Sequence, residues 1–111
     1  MSDCLFCKIA DGDIPCNKVY EDDDFLAFHD IHPKAPTHVL VIPKVHIATL
    51  ADATEQDAAL LGSMMDRVRH IADEALHLDA GYRVVLNVRE GGGQEVMHIH
   101  THILGGKKLS F

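Results

Sequence analysis

The segment from Thr54 to His77 limits the fold more than any other part of the chain. Leu61, Met64, Met65, Val68, Ala72, Ala75 and Leu76 recur at steps of three and four. That spacing lays an apolar stripe along one face of a helix, and the stripe needs a surface to cover. Thr54 is placed to cap this helix, Glu55 and Asp57 suit the positive end of its dipole, and Gly81 follows as a stop signal. The methionine pair reads as core, since apolar side chains at helical spacing usually pack rather than bind. The rest of the pattern is short. Cys4 to Ala10 suits a brief helix closed by Asp11-Gly12-Asp13, and Lys18 to Glu21 and Phe25 to Asp30 flank the turn-forming Asp22-Asp23-Asp24 as a hairpin. His38 to Ile42 is a β-branched run ending at Pro43, behind a loop shaped by Pro33 and Pro36. Tyr82 to Val88 and His98 to Leu104 complete the strands. This order is α+β: a five-stranded, mostly antiparallel sheet with one long and one short helix, not an alternating βαβ chain. No repeat or linker interrupts it, and residues 1–111 are expected to form one domain.

The formal charge of −7, with Lys107 and Lys108 as the one adjacent basic pair, argues against binding a nucleic-acid backbone. A small anion would have to be held by backbone N–H groups and imidazoles. No apolar run approaches the roughly 18 residues of a membrane span, and the start of the chain lacks the pattern of a secretion signal. A cytoplasmic location is the expectation. Cys4, Cys7 and Cys16 make an odd count. In a reducing compartment the Cys4-x-x-Cys7 pair reads as half a tetrahedral metal site or as a redox pair, and Cys16 as a lone small residue.

The segment GGGQEVMHIHTHIL, Gly91 to Leu104, carries the chemistry. Period-two alternation points His98, His100 and His102 to one face of a strand, with Ile99, Thr101 and Ile103 on the other, where they suit an interior. Two neighbouring imidazoles of the row can share a metal ion; the outer pair cannot, because four residues of strand span roughly 13 Å. A His-x-His behind Gly-x5 also fits the first motif of a cupin barrel, but too little chain follows for the remaining strands. A polar strand surface without chemistry is the bland alternative. Phosphorus chemistry fits more of the segment. Gly91, Gly92 and Gly93 let backbone N–H groups close on an anion. A neutral imidazole beside them is a competent nucleophile near neutral pH. Arg89 is the one arginine nearby, so backbone dipoles and imidazoles would carry the stabilisation.

His98-Ile-His-Thr-His-Ile-Leu104 resembles the His-φ-His-φ-His-φ-φ pattern of the histidine-triad superfamily, with Thr101 at an otherwise apolar slot. FCKIADGDIP, the run from Ala27 through His38, Val41-Ile-Pro-Lys-Val-His46, Gly81-Tyr-Arg, Asn87 and Gly105-Gly106 also fall in family positions. Together they are similar to the Hint branch, the purine nucleoside phosphoramidases. The resemblance implies that His100 attacks the α-phosphorus of a nucleoside phosphoramidate, with its Nδ1–H held by the carbonyl of His98. It implies that His102 and His38 bind the phosphate and tune protonation. Asn87 and Gly93-Gln94-Glu95, with Val96 beside them, would hold the nucleotide phosphate and the leaving amine. Asp30 would take the ribose hydroxyls, and Phe6, Ile9, Phe28 and Ile31 would enclose the base. It further implies one structural zinc on Cys4, Cys7, His46 and His98, and a homodimer whose sheets join edge to edge into ten strands. The products would be AMP and a free amine; hydrolysis of dinucleoside polyphosphates and a nucleotide-binding module are the rival readings. Glu95 departs from the serine of eukaryotic members, and Phe111 stands about where relatives carry an aromatic that reaches the partner's site. His32, His70 and His77 are expected at the surface, and His29 beside the nucleoside strand without a catalytic role.

Overall fold

A computed structural model describes residues 3–111, so the first two residues of the expected 1–111 domain lie outside it. Helix α1 (Leu5–Ala10) precedes strands β1 (Lys18–Glu21), β2 (Phe25–His29) and β3 (Thr37–Pro43); helix α2 (Ala58–His70) is followed by β4 (Arg83–Val85) and β5 (Thr101–Gly105). The strands form one sheet in the order β1-β2-β3-β5-β4, with every pairing antiparallel. The expected five-stranded α+β architecture is what the chain adopts.

Strand alternation divides the core in two. Phe25, Ala27, Val39, Val41, Ile99 and Ile103 pack against Met64, Val68, Ile71 and Ala72 of the long helical segment. The opposite faces of the same strands send Leu26, Phe28, Leu40 and Ile42 against Phe6 of α1. His38 and His102 belong to this second face, because the β3–β5 register sets His38 opposite Leu104 and Leu40 opposite His102. His38 and His102 therefore share a face with the short helix, away from the long one.

Several expected boundaries shift, each for a physical reason. Thr54 closes a capping box with Asp57, but the box opens a 3-10 turn over Glu55–Asp57 and the α-helix begins at Ala58. Beyond His70 the helix widens into a π turn over Ile71–Ala75. The extra residue per turn rotates the stripe. Ile71 and Ala72 are buried, Ala75 is exposed, and Met65 on the α-helical part is 42% exposed, so Met64 alone of the pair is core. The helix is stopped by His77 in left-handed geometry, φ 52°, and not by Gly81.

The strand Tyr82 to Val88 contracts to Arg83–Val85, and His98 to Leu104 contracts to Thr101–Gly105. The β3–β5 ladder ends where Val41 meets Thr101, and Pro43, two residues further along β3, has no N–H to offer. The chain at 98–100 bends away and is held differently: His98 Nε2–H donates to the Pro43 carbonyl at 2.8 Å, and the Ile99 N–H to the Ile47 carbonyl at 2.7 Å. Three histidines on one strand face is thus corrected to one strand histidine, His102, preceded by two on a bent segment.

Thr101 faces the α2 side of the sheet, fully buried, and its hydroxyl has no hydrogen-bond partner among the described residues. Thr101→Val removes an unsatisfied polar atom at nearly constant volume, and is expected to raise unfolding stability by about 1 kcal/mol. Urea denaturation measures this; a loss of stability would reveal a partner for the hydroxyl.

Candidate active site and metal centre

Asp30, Lys34, His38, Val85, Asn87, Gly93, Glu95, His100, His102 and Leu104 line one pocket of about 310 Å³. The sheet supplies His38, Val85, His102 and Leu104. The loop after β2 supplies Asp30 and Lys34, and the turn before β5 supplies Gly93 and Glu95.

Hydrogen bonds fix the tautomer of each imidazole in turn. The Lys34 N–H donates to His38 Nδ1 at 3.0 Å, so His38 is protonated on Nε2 when neutral. His38 Nε2–H then donates to His102 Nδ1 at 2.9 Å, leaving the proton of His102 on Nε2. His100 Nδ1–H donates to the His98 carbonyl at 2.8 Å, which leaves an unprotonated Nε2. The result is a pair of opposite characters: His100 presents a lone pair and His102 an N–H.

Burial keeps these rings neutral. It lowers the pKa of His100, opposed by its bond to His98 and by the charges of Asp30 and Glu95. It lowers that of His38, opposed by Asp30. For His102, burial together with the neighbouring His100 and His38 pushes the value down to about 4. His100 is therefore a neutral imidazole with an open Nε2 lone pair at physiological pH.

The loop before the triad is braced from within. Arg89 holds φ 61°, uncommon for a residue with a side chain. Its N–H donates to Gln94 Oε1 at 2.7 Å, and Gln94 Nε2 donates to the carbonyls of Ala48 at 2.8 Å and Val96 at 3.0 Å. Asn87 Nδ2 donates to the Gly92 carbonyl at 2.8 Å. Gly93 sits at φ 86°, a backbone conformation suited to glycine.

The expected site residues separate into groups. Asp30, Asn87, Gly93, Glu95, His38, His100 and His102 converge on the pocket. Gln94 does not line it; its buried side chain is committed to the loop. Phe6 and Phe28 meet edge to face at 5.6 Å, with Ile9 and Val96 packed beside them, so these four share a cluster. Ile31 is 86% exposed and outside that cluster. His32, His70 and His77 are exposed, as expected, and His29 is exposed at the end of β2. Lys34, Val85 and Leu104 are the pocket residues not expected as site residues; Lys34 lies between Pro33 and Pro36, just ahead of His38, in the loop shaped for that face.

A second cluster lies beside the first. Cys4, Cys7, His46 and His98 bring four ligand atoms within 4.8 Å of one another. Cys4 Sγ and Cys7 Sγ stand 3.3 and 3.5 Å from His98 Nδ1, while His46 Nδ1 lies 3.3 Å from both Cys7 Sγ and His98 Nδ1. Because His98 Nε2–H is held by Pro43, its Nδ1 lone pair faces the cluster, the second bond typical of a ligating histidine. Asp30, His38 and His102 also lie within 4.8 Å of each other, a closeness to which the His38–His102 hydrogen bond contributes.

A five-stranded sheet carrying a neutral-imidazole pocket beside a Cys₂His₂ cluster defines a class of proteins built around a histidine nucleophile. Comparison with known proteins agrees. The HIT domain family model matches residues 11–109. Protein HitA of Neisseria gonorrhoeae is 50% identical over 105 residues, covering 95% of this chain and 97% of its own. Purine nucleoside phosphoramidase of Escherichia coli (strain K12) is 44% identical over 105 residues, covering 95% of this chain and 88% of its own. The crystal structure of a HIT family hydrolase from Legionella pneumophila Philadelphia 1 superposes with a TM-score of 0.94 at 51% identity, covering 98% of this chain and 97% of that one. The chain belongs to the HIT domain family.

Proposed function

We propose that this protein is a purine nucleoside phosphoramidase, working as a single domain that hydrolyses the P–N bond of adenosine 5′-phosphoramidates to AMP and an amine. The observation that carries the reading is the His100 tautomer: Nδ1–H is committed to the His98 carbonyl, and Nε2 is left with its lone pair. Nε2 attacks the α-phosphorus, the leaving nitrogen takes up a proton from solvent, and the P–N bond breaks to release the amine. The imidazole carries the positive charge of the intermediate, stabilised at Nδ1–H by the same carbonyl. Water then attacks the phosphorus, the Nε2–P bond breaks, and AMP departs. His102 Nε2–H would hold phosphoryl oxygens, with Lys34 on the pocket wall beside it; the N–H groups of Gly92, Gly93 and Gln94 are spent within the loop on the Arg89 and Glu90 carbonyls, so the expected glycine cradle is not offered by them. Glu95 would repel a phosphate but suits the departing ammonium. Asp30 serves the ribose, and Phe6, Ile9, Phe28, Ile31 and Val96 the base.

Zinc fits the second cluster. Around a tetrahedral zinc, with donors at about 2.3 Å for sulfur and about 2.0–2.1 Å for nitrogen, N–N and S–N pairs sit roughly 3.3–3.6 Å apart. The measured separations of 3.3–3.5 Å match that cage. Cys4, Cys7, His46 and His98 would hold the ion, which supplies cross-linking of the fold. The same reading gives a homodimer whose sheets would join edge to edge into ten strands, with β1 and β4 as the edge strands of the described sheet. No helix among the described residues is long and apolar enough to cross a membrane, and a cytoplasmic place accords with thiols kept reduced.

Side-by-side kinetics test the substrate. Adenosine 5′-phosphoramidate is expected to be turned over with a kcat/KM at least about tenfold above that for diadenosine polyphosphates. The reverse order would move the protein to the polyphosphate reading.

A further inference from the structure

The two clusters share a residue. His98 offers Nδ1 to the Cys4–Cys7–His46 group, while its own carbonyl holds Nδ1–H of His100 at 2.8 Å. The metal-ligand side chain and the acceptor that sets the nucleophile's tautomer are thus one residue, two positions before His100. A second link runs through α1. Six residues are too few for a helix to stand alone, since isolated helices below about 12 residues are marginal. What holds α1 in place is its Cys4 N-cap, its Cys7 sulfur and Phe6. Phe6 lies between the two ligand cysteines and meets His100 edge to face at 5.0 Å and His98 at 6.0 Å. A third link runs through the loop that carries His46. That loop takes His98 Nε2–H on Pro43, the Ile99 N–H on Ile47 and Gln94 Nε2 on Ala48.

We propose that the Cys4, Cys7, His46 and His98 centre positions the nucleophile: a metal ion in it fixes the His98 carbonyl and the Phe6 ring that together hold His100 in the Nδ1–H form. These four side chains are positioning residues and touch no substrate. The inference rests on the phosphoramidase reading for its kinetic consequence, but its structural part stands apart from it. Loss of one ligand leaves the phosphate side of the pocket in place and loosens the acceptor of the His100 proton together with the α1 wall that carries Phe6. The expected signature is a fall in kcat larger than the change in KM, because orientation for attack is lost while phosphate and ribose contacts are kept.

The test uses the full chain, zinc-loaded, and changes the one exposed ligand. His46→Ala is expected to lower kcat by about ten- to a hundredfold, the usual cost of losing a supporting contact. KM should stay within a few-fold, and imidazole NMR should show His100 losing its single Nδ1–H tautomer. His46→Cys, which restores four donors, should recover both. If His46→Ala is too unstable to assay, stepwise removal of zinc from the native chain gives the same comparison, with kcat and the His100 signal following bound zinc. A fall in zinc content that leaves kcat and the tautomer unchanged would overturn the proposal. If native protein turns over no phosphoramidate, the phosphoramidase reading fails, and the NMR comparison still decides whether the centre sets the tautomer.

Discussion

His100→Ala is expected to lower turnover of an adenosine 5′-phosphoramidate by about a thousandfold or more, the scale on which enzymes lose rate when their nucleophile goes. The reason lies in one atom. Nε2 of His100 carries a lone pair because the His98 carbonyl occupies the other ring nitrogen, whereas His102 presents a proton at its Nε2 and cannot take over the attack. His102→Ala is expected to cost less, about a hundredfold, since it removes one oxyanion donor and leaves the bond-forming atom. The substitution at His100 also opens a cavity, because its ring is 7% exposed and packs against Phe6 and His102, each at 5.0 Å. About 2 kcal/mol of stability should go with it. Circular dichroism and a melting curve separate that loss from the kinetic one, and mass spectrometry of quenched native enzyme should find a nucleotidyl group on the peptide containing His100. Near-native kcat in a folded His100→Ala protein would place the nucleophile elsewhere.

Much of this site could be read before any fold was known, because alternation is a local property. Ile99, Thr101 and Ile103 do turn into the core, and His102 faces the pocket from the other side of β5. The contraction of that strand was not legible, because it depends on where the ladder with β3 ends, at Val41 opposite Thr101, sixty residues away in sequence. The stripe of the long helix was legible only as far as its period held. The π turn at Ile71–Ala75 breaks the period through its hydrogen bonds, which leave no mark in composition. Gln94 shows the same limit from the other direction. The family resemblance implied a ligand contact for it, but the amide is drawn inward by Arg89 N–H and by the Ala48 carbonyl, a partner supplied by tertiary contact alone. Lys34 was missed for want of a pattern: a single cation in a proline-bounded loop becomes a pocket residue only once β2 and β3 pair.

Acidification from pH 7.5 to pH 4.5 is expected to destabilise the protein steeply through these same buried imidazoles. In the unfolded chain a histidine takes up its proton near pH 6.5. In the folded chain His102 does so only at about 4, because burial and the adjacent His100 and His38 disfavour its charge. Between those values the unfolded state binds more protons, so stability rises with pH across the window. The contribution is complete above about pH 6.5, is lost as pH falls, and has gone once pH passes below the folded value. A lowering of that size corresponds to about 3 kcal/mol from His102 alone. His38 and His100 are shifted in the same direction by burial and add to it. Urea denaturation at a series of pH values measures the slope, with zinc content followed in parallel. His102→Gln keeps a polar group of similar size but cannot be charged, so its stability should vary less with pH by the His102 share, the curves converging towards acid. Equal slopes in the two proteins would mean that His102 takes up its proton as readily folded as unfolded, and that the ring the site relies on as a neutral donor is not held neutral by its surroundings.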